Sequence, residues 1–423
     1  MKPTIIPAEA GLAPRASGSL LQQWGRRALL AQLEALRQGE LTIIEDGTRR
    51  RFGQRTAECD LATTIHVTHP QFWANVAFGG TLGAGESFIN DDWRCDDLTV
   101  LVRVLVINRD LMNSMERGWA LLGAPLRRIL HWLNRNSRDG SQRNIAAHYD
   151  LGNEFFALFL DPTMAYSCGI FERADATLEE ASIAKFDAIC RKLAVSPADH
   201  LLEIGTGWGG FAIHAAQRYG CRVTTTTISK EQYDFARERI VAAGLGDRID
   251  LRLEDYRELR GTYDKLVSVE MIEAVGHQYL DTYFAQCASL LKPDGAMLLQ
   301  AITLQDQFYE EALQRVDFIQ RFIFPGSFIP SVTAILASLT RATDMKLFHL
   351  EDIGPHYATT LRRWRDAFVA ARPRVNAMGF PDAFVRMWDF YLCYCEGGFA
   401  ERQLGDVHML LTKPRCRISR PAL

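Results

Sequence analysis

Two stretches of the chain carry residue types whose spacing can do chemistry. The first is the strand-like LLEIG, which runs into Gly205-Thr206-Gly207-Trp208-Gly209-Gly210 and then FAIHAAQRYG, a helical pattern. Glycines at such a junction let the backbone approach a ligand closely, and the helix start turns N–H groups toward it. Gly205, Gly207 and Gly210 satisfy GxGxxG, a weak signal by itself. The second stretch is DPTMAYSCGIFE, residues 161–172, which sets Cys168 among Tyr166, Ser167 and Gly169. That cysteine could be a nucleophile, half of a disulfide, a buried filler or part of a site with other chemistry.

Bulk properties narrow these choices. The 423-residue chain is 48% hydrophobic and 23% charged with a net charge of −3, which is ordinary for a globular protein and gives no sign of nucleic-acid binding. Nine cysteines, an odd number scattered through a long chain, do not read as a disulfide framework. No CxxC pairs with a second one, so no metal site is expected. The first 18 residues lack an apolar signal core, and no run of about 18 apolar residues occurs. A reducing, cytoplasmic setting follows as the expectation, and it argues against a disulfide at Cys168.

The glycine loop also has a preferred ligand. A dinucleotide fingerprint wants an acidic residue at the end of the second strand, where this chain has TTTTISKEQ. Glu203, two residues before Gly205, instead fits the E/D-x-G-x-G-x-G pattern of Class I S-adenosylmethionine proteins. There an acid and backbone amides hold the cofactor's amino-acid end and ribose.

The elements that must position these residues fall into two patterns. Residues 1–18 read as a loose tail. Residues 19–39 have helical spacing, 40–53 read as a hairpin turning at Asp46-Gly47, and 62–67 as a strand. FGGTLGAGESF is expected to be a glycine-rich turn, and 98–112 a helix. Together they predict a small α+β domain over 19–124. Residues 125–143 form a linker carrying Arg127, Arg128, Arg135, Arg138 and Arg143 among apolar residues. It is either a solvated helix or a basic contact with an anionic lipid surface. From residue 199, strand candidates at 200–205, 221–229, 248–255, 264–272 and 295–303 alternate with helices, and VHMLLTKP supplies a last strand. That alternation predicts a doubly wound, mostly parallel sheet in a domain over 144–423.

Several stretches together resemble one family: NIAAHYDLGNEFFALFLDPTMAYSCGIF, LLEIGTGWGG, TTISKEQ, VSVEMIEAVGHQYLDTYF and MLLQAIT are similar to the cyclopropane fatty acyl phospholipid synthases, relatives of the mycolic acid methyltransferases. The resemblance covers nearly the whole chain. It implies an α/β, Rossmann-like, seven-stranded Class I methyltransferase fold with a smaller N-terminal α+β domain. It further implies cofactor contacts at Tyr166, Ser167, Glu203, Gly205, Gly207, Thr227, Gln232, Asp255 and Tyr256. The family's site holds a bicarbonate ion as base, and Cys168, Glu273, Ile302 and Tyr357 fit four of its ligand positions. The fifth departs, with Gln300 where many members have histidine. An amide can donate a hydrogen bond to the anion but cannot carry a proton as imidazole can.

The resemblance thus implies methyl transfer from S-adenosylmethionine to the double bond of unsaturated acyl chains in membrane phospholipids. A carbocation would form and close to a cyclopropane. Loss of a proton from the chain would give a methyl-branched or methylene product instead, and an amine N-methyltransferase is a further alternative. An alkene offers nothing for a thiolate to attack, so Cys168 is expected to line the anion pocket, through its backbone, or simply to pack. Aromatic clusters at 155–159, 318–328 and 387–395 are candidates to shield the cation. The implied setting is a peripheral protein on the inner face of the membrane, with a homodimer as the family-level assembly.

Overall fold

The computed structural model describes residues 19–109 and 151–419. The tail, the arginine-rich linker and the start of the HYDLGN segment lie outside the described residues. The chain divides into two compact units, and the division is discontinuous. Residues 314–325 and 369–403 group with the N-terminal stretch, although the sequence pattern placed them in the second domain.

In the N-terminal unit, α1 (Leu20–Leu33) starts at a capping box: the Gln22 amide donates to Ser19 Oγ and the Ser19 amide to Gln22 Oε1. Strands β1 (Gly39–Glu45), β2 (Thr48–Gln54), β3 (Ala62–Val67) and β4 (Trp93–Cys95) pair in the order β2-β1-β3-β4. Asp46 and Gly47 both take left-handed φ values, 48° and 77°, as a two-residue hairpin turn requires.

The expected glycine-rich turn is instead part of a helix, α2 (Gln71–Ile89), kinked at Gly80 with φ 60°. Gly80 turns the chain at that kink, while Gly83 and Gly85 serve packing. A Cβ on Gly83 would lie 2.0 Å from the Asn75 carbonyl oxygen, and one on Gly85 would lie 2.4 Å from the Phe318 ring. Gly83→Ala therefore forces the backbone apart, and we expect it to lower the thermal midpoint by roughly 5 °C, read by calorimetry. Helix α3 (Leu98–Ile107) is capped by Asp97 and packs on the later helix Asp382–Ala400, where Thr99 Oγ1 donates to Glu396 Oε2 at 3.0 Å.

The second unit is built on seven strands: β5 (His200–Ile204), β6 (Arg222–Thr227), β7 (Ile249–Leu253), β8 (Tyr263–Val269), β9 (Leu291–Leu304), β10 (Lys346–Asp352) and β11 (Leu404–Thr412). Their order is β10-β11-β9-β8-β5-β6-β7, with β11 antiparallel to both neighbours and the other pairs parallel. This is the Class I methyltransferase arrangement. The strands expected from sequence are all present, and β10 is the one missed. Its burial alternates between exposed and half-buried, which is how an edge strand with few core contacts reads.

Side chains of alternating parity feed two cores. Leu202, Leu266, Leu299 and Met409 face Tyr283 and Phe284. Leu201, Val267, Leu298 and Leu410 face α4 (Leu178–Lys192), α5 (Gly210–Tyr219) and α6 (Lys230–Ala242) through Ile189, Phe211 and Ile240. On this second face the apolar layer stops one step short of the carboxyl ends of the parallel strands. The next residues in parity are Glu203, Gln300 and His408, all buried. Ligands bind at that edge in open α/β sheets.

Candidate functional site

The glycine loop leaves the end of β5. Gly205, Gly207 and Gly209 take φ values of 102°, 52° and 85°, and the Gly205 and Thr206 amides both donate to the Thr226 carbonyl. Behind the loop the buried Glu203 carboxyl accepts from Thr225 Oγ1 at 2.5 Å, and burial pushes it up to about 8. On the neighbouring strand Thr227 Oγ1 donates to Gln232 Oε1 at 2.9 Å, and the Asp255 carboxylate is gripped by Arg257 at 2.6 Å. Tyr256 packs edge-on to Tyr283. A left-handed glycine loop, a buried acid and an adjacent acidic turn suit a ligand with an amino acid at one end and a nucleoside at the other. These residues fit S-adenosylmethionine.

The segment 163–171 lies across from this loop. Arg239 on α6 donates to the carbonyls of Pro162, Thr163 and Trp208. The Tyr166 ring is tilted against Trp364 at 5.2 Å and meets Phe156 edge-on at 5.3 Å, and Ser167 Oγ accepts from the buried ammonium of Lys185 at 2.6 Å. Of the three aromatic stretches singled out in the sequence, 155–159 packs here. Phe318, Phe390 and Tyr394 belong to the N-terminal unit.

Of the five residues expected to surround a small anion, Cys168, Gln300 and Tyr357 converge on a group the sequence reading missed, while Ile302 and Glu273 bond to each other. Glu270 follows β8 directly and takes a left-handed φ of 46°, uncommon outside glycine. Its carboxylate accepts three hydrogen bonds: from the Cys168 backbone amide at 2.8 Å, from Gln300 Nε2 at 2.8 Å and from the Tyr357 hydroxyl at 2.6 Å. The Ile302 amide donates to a second carboxylate, Glu273, at 2.6 Å. Every donor that the resemblance assigns to bicarbonate is thus turned to a carboxylate of the chain. The group does not fit: a second anion would meet Glu270 and Glu273 where it needs donors.

Cys168 contributes through its backbone. Its thiol donates to the Gly169 and Ile353 carbonyls, and burial pushes it well up, so it is not a thiolate nucleophile. Tyr357 and Trp364 come from α9 (Gly354–Ala370), whose Thr360 hydroxyl accepts from the Gly169 amide and fixes the loop around Cys168.

A third acid, Asp406 on β11, accepts the other hydrogen of Gln300 Nε2 at 2.9 Å. Burial and the charges of Glu270 and Glu273 push Asp406 well up. Burial raises Glu270 most, and hydrogen bonds from Tyr357, Cys168 and Asp406 together with the charge of Lys185 pull the other way. A buried carboxylate raised from its ordinary range is a competent general base.

Glu273 and Glu203 are both pushed up to about 8 from 4.5, chiefly by burial. Between those values the folded chain binds more protons than the unfolded one, so stability falls as pH rises through that window. We expect Glu273→Gln to flatten this fall, checked as thermal midpoints of the cofactor-free protein on either side of the window.

Residues 136–409 match the family described as mycolic acid cyclopropane synthetase. The chain belongs to that family. It is 40% identical over 355 residues to tuberculostearic acid methyltransferase UfaA1 of Mycobacterium tuberculosis, covering 82% of each chain. It is 36% identical over 343 residues to cyclopropane-fatty-acyl-phospholipid synthase of Escherichia coli, covering 80% of this chain and 85% of that one. Among solved structures, mycolic acid cyclopropane synthase CmaA1 complexed with SAH and CTAB superposes with a TM-score of 0.60 at 31% identity, over 64% of this chain and 98% of that one. The protein is an S-adenosylmethionine-dependent methyltransferase.

Proposed function

We propose that the protein transfers the methyl group of S-adenosylmethionine to the double bond of unsaturated acyl chains in membrane phospholipids and closes a cyclopropane, with Glu270 as the base. The observation that carries the reading is the convergence of Cys168, Gln300 and Tyr357 on the Glu270 carboxylate, at the ligand edge of the sheet. Glu203, Gly205, Gly207, Thr227, Gln232, Asp255 and Tyr256 form the cofactor cradle, with Tyr166 and Ser167 at its mouth. A Cβ on Gly205 would lie 3.5 Å from Met271, the residue after Glu270, so the cradle abuts the base.

Bound S-adenosylmethionine supplies an electrophilic methyl group. When an alkene carbon takes that methyl, its neighbour is left a cation. Tyr166, Trp364 and Tyr357 form an aromatic wall beside Glu270, able to stabilise positive charge and exclude water. Glu270 then removes one proton from the transferred methyl, and the electron pair of that C–H bond closes the ring. Similarity to a relative named tuberculostearic acid methyltransferase supports a second outcome, in which the cation loses a proton from the chain and leaves a methyl-branched alkene, or a hydride shifts and the methyl loses the proton to leave an exocyclic methylene.

Access to acyl chains requires docking on a bilayer without crossing it. No helix among the described residues is long and apolar enough to span a membrane. Leu20, Leu21 and Trp24 on α1 are 75%, 64% and 64% exposed, which supports contact of the N-terminal unit with lipid on the inner face. The reading is tested with methyl-labelled cofactor and vesicles of dioleoyl or fully saturated phosphatidylglycerol. Label should enter the acyl chains of the first alone; label in a small amine acceptor with none in lipid would overturn it.

A further inference from the structure

The amide of Gln300 can sit in either of two orientations, because exchanging its oxygen and nitrogen changes shape very little. Only one of them serves Glu270. With Nε2 inward, the amide donates to Glu270 Oε1 at 2.8 Å and to Asp406 Oδ2 at 2.9 Å. Turned over, its oxygen would face the Glu270 carboxylate, an acceptor, and the donor to the base would be lost. What selects the orientation lies on the far side of the amide, where Gln300 Oε1 is 3.0 Å from His408 Nε2.

That contact selects only if His408 carries its proton on Nε2. The other ring nitrogen, Nδ1, lies 2.7 Å from Lys192 Nζ. An ammonium donates and does not accept, so Nδ1 must hold the lone pair and Nε2 the hydrogen. Lys192 is itself paired with Glu351, whose side chain is 44% exposed. The sheet register builds the row: on β11, His408 stands directly opposite Glu351 of β10 and Gln300 of β9. Gln300 in turn stands opposite Val269 of β8, the residue before Glu270. Lys192 reaches the row from α4, above the same face.

We infer that Lys192 and His408 are positioning residues for the methyl transfer: the row Glu351–Lys192–His408–Gln300 fixes the His408 tautomer, which fixes the Gln300 amide, which aims its donor at the base. From Lys192 inward each link gives its hydrogen toward Glu270, while Lys192 also donates outward to the Glu351 carboxylate. His408 is fully buried and held neutral by burial and by the charge of Lys192, so it does not switch to a cation that would donate from both nitrogens. This rests on the reading of Glu270 as base.

The test joins kinetics to a direct view of the ring. In His408→Leu, kcat for acyl methylation should fall on the order of 10- to 100-fold, with the Kd for S-adenosylmethionine unchanged. Because His408 acts through Gln300, the double variant Q300L/H408L should be no slower than Q300L, which a merely structural role would not produce. Lys192→Met should reproduce part of the loss and Lys192→Arg restore it. Nitrogen-15 NMR of the histidines in the whole protein should show His408 protonated at Nε2, and K192M should release that tautomer. Independent, multiplying losses in Q300L and H408L, or a proton on Nδ1 with Lys192 in place, would overturn the inference. Full activity of Glu270→Gln would instead remove the base and leave the tautomer result standing.

Discussion

Glu270→Gln lowers kcat for acyl methylation by about 10³-fold and leaves the Kd for S-adenosylmethionine unchanged, because it removes the proton acceptor and keeps its shape. The glutamine oxygen can still accept from the Cys168 amide and Gln300, while its nitrogen donates to the Tyr357 oxygen. The substitution also removes the negative charge that faces the buried Lys185 ammonium. The thermal midpoint should therefore fall by a few degrees along with the activity. Calorimetry and vesicle assays on one preparation read both. A lower midpoint with intact activity would mean that Glu270 is structural.

Gly205→Val is expected to weaken S-adenosylmethionine binding more than 100-fold, read by isothermal titration. Gly205 has φ 102°, a region that a β-branched residue enters only with strain. Any relaxation would pull the Gly205 and Thr206 amides off the Thr226 carbonyl and swing the loop across the cradle. The strained residue would also press toward Met271, whose Cβ lies 3.5 Å from an ideal Cβ at this position. Loss of cofactor binding with the folded state retained separates this variant from a folding defect. Binding within a few-fold of the unaltered protein would show that the cradle is elsewhere.

Much of the sheet was legible because its strands are apolar runs between helical patterns, and the glycine loop because left-handed turns demand glycine. The cluster around Cys168 was legible only through resemblance, residue by residue. Glu270 was passed over although it lies in the quoted VSVEMIEAVGH, three residues before Glu273. Sequence shows two acids and not which of them meets the donors. The local signal was position: Glu270 follows the last residue of a buried parallel strand, at the edge where such sheets bind ligands. Asp406 and His408 were hidden differently. Among Val407, Met409 and Leu411 they read as the solvent side of a half-buried strand, yet β11 is covered on both faces and both residues are fully buried. The glycines of α2 misled in the opposite sense. Glycine marks turns and close approaches alike, and here the tight contacts with Asn75 and Phe318 depend on residues distant in sequence or across a kink.

The central claim is that a methyl group joins an acyl double bond and Glu270 takes the proton that closes the ring. It is tested most directly with S-adenosylmethionine carrying a fully deuterated methyl, incubated with the protein and dioleoyl phosphatidylglycerol vesicles, and mass analysis of the acyl chains. The account predicts labelled chains that keep two of the three deuterons and show cyclopropane ring signals by NMR, with labelling collapsing in E270Q; two deuterons in an exocyclic methylene would contradict ring closure. Three deuterons retained would contradict ring closure and place proton loss on the chain. No label in lipid, from protein that binds the cofactor, would contradict the acyl acceptor itself.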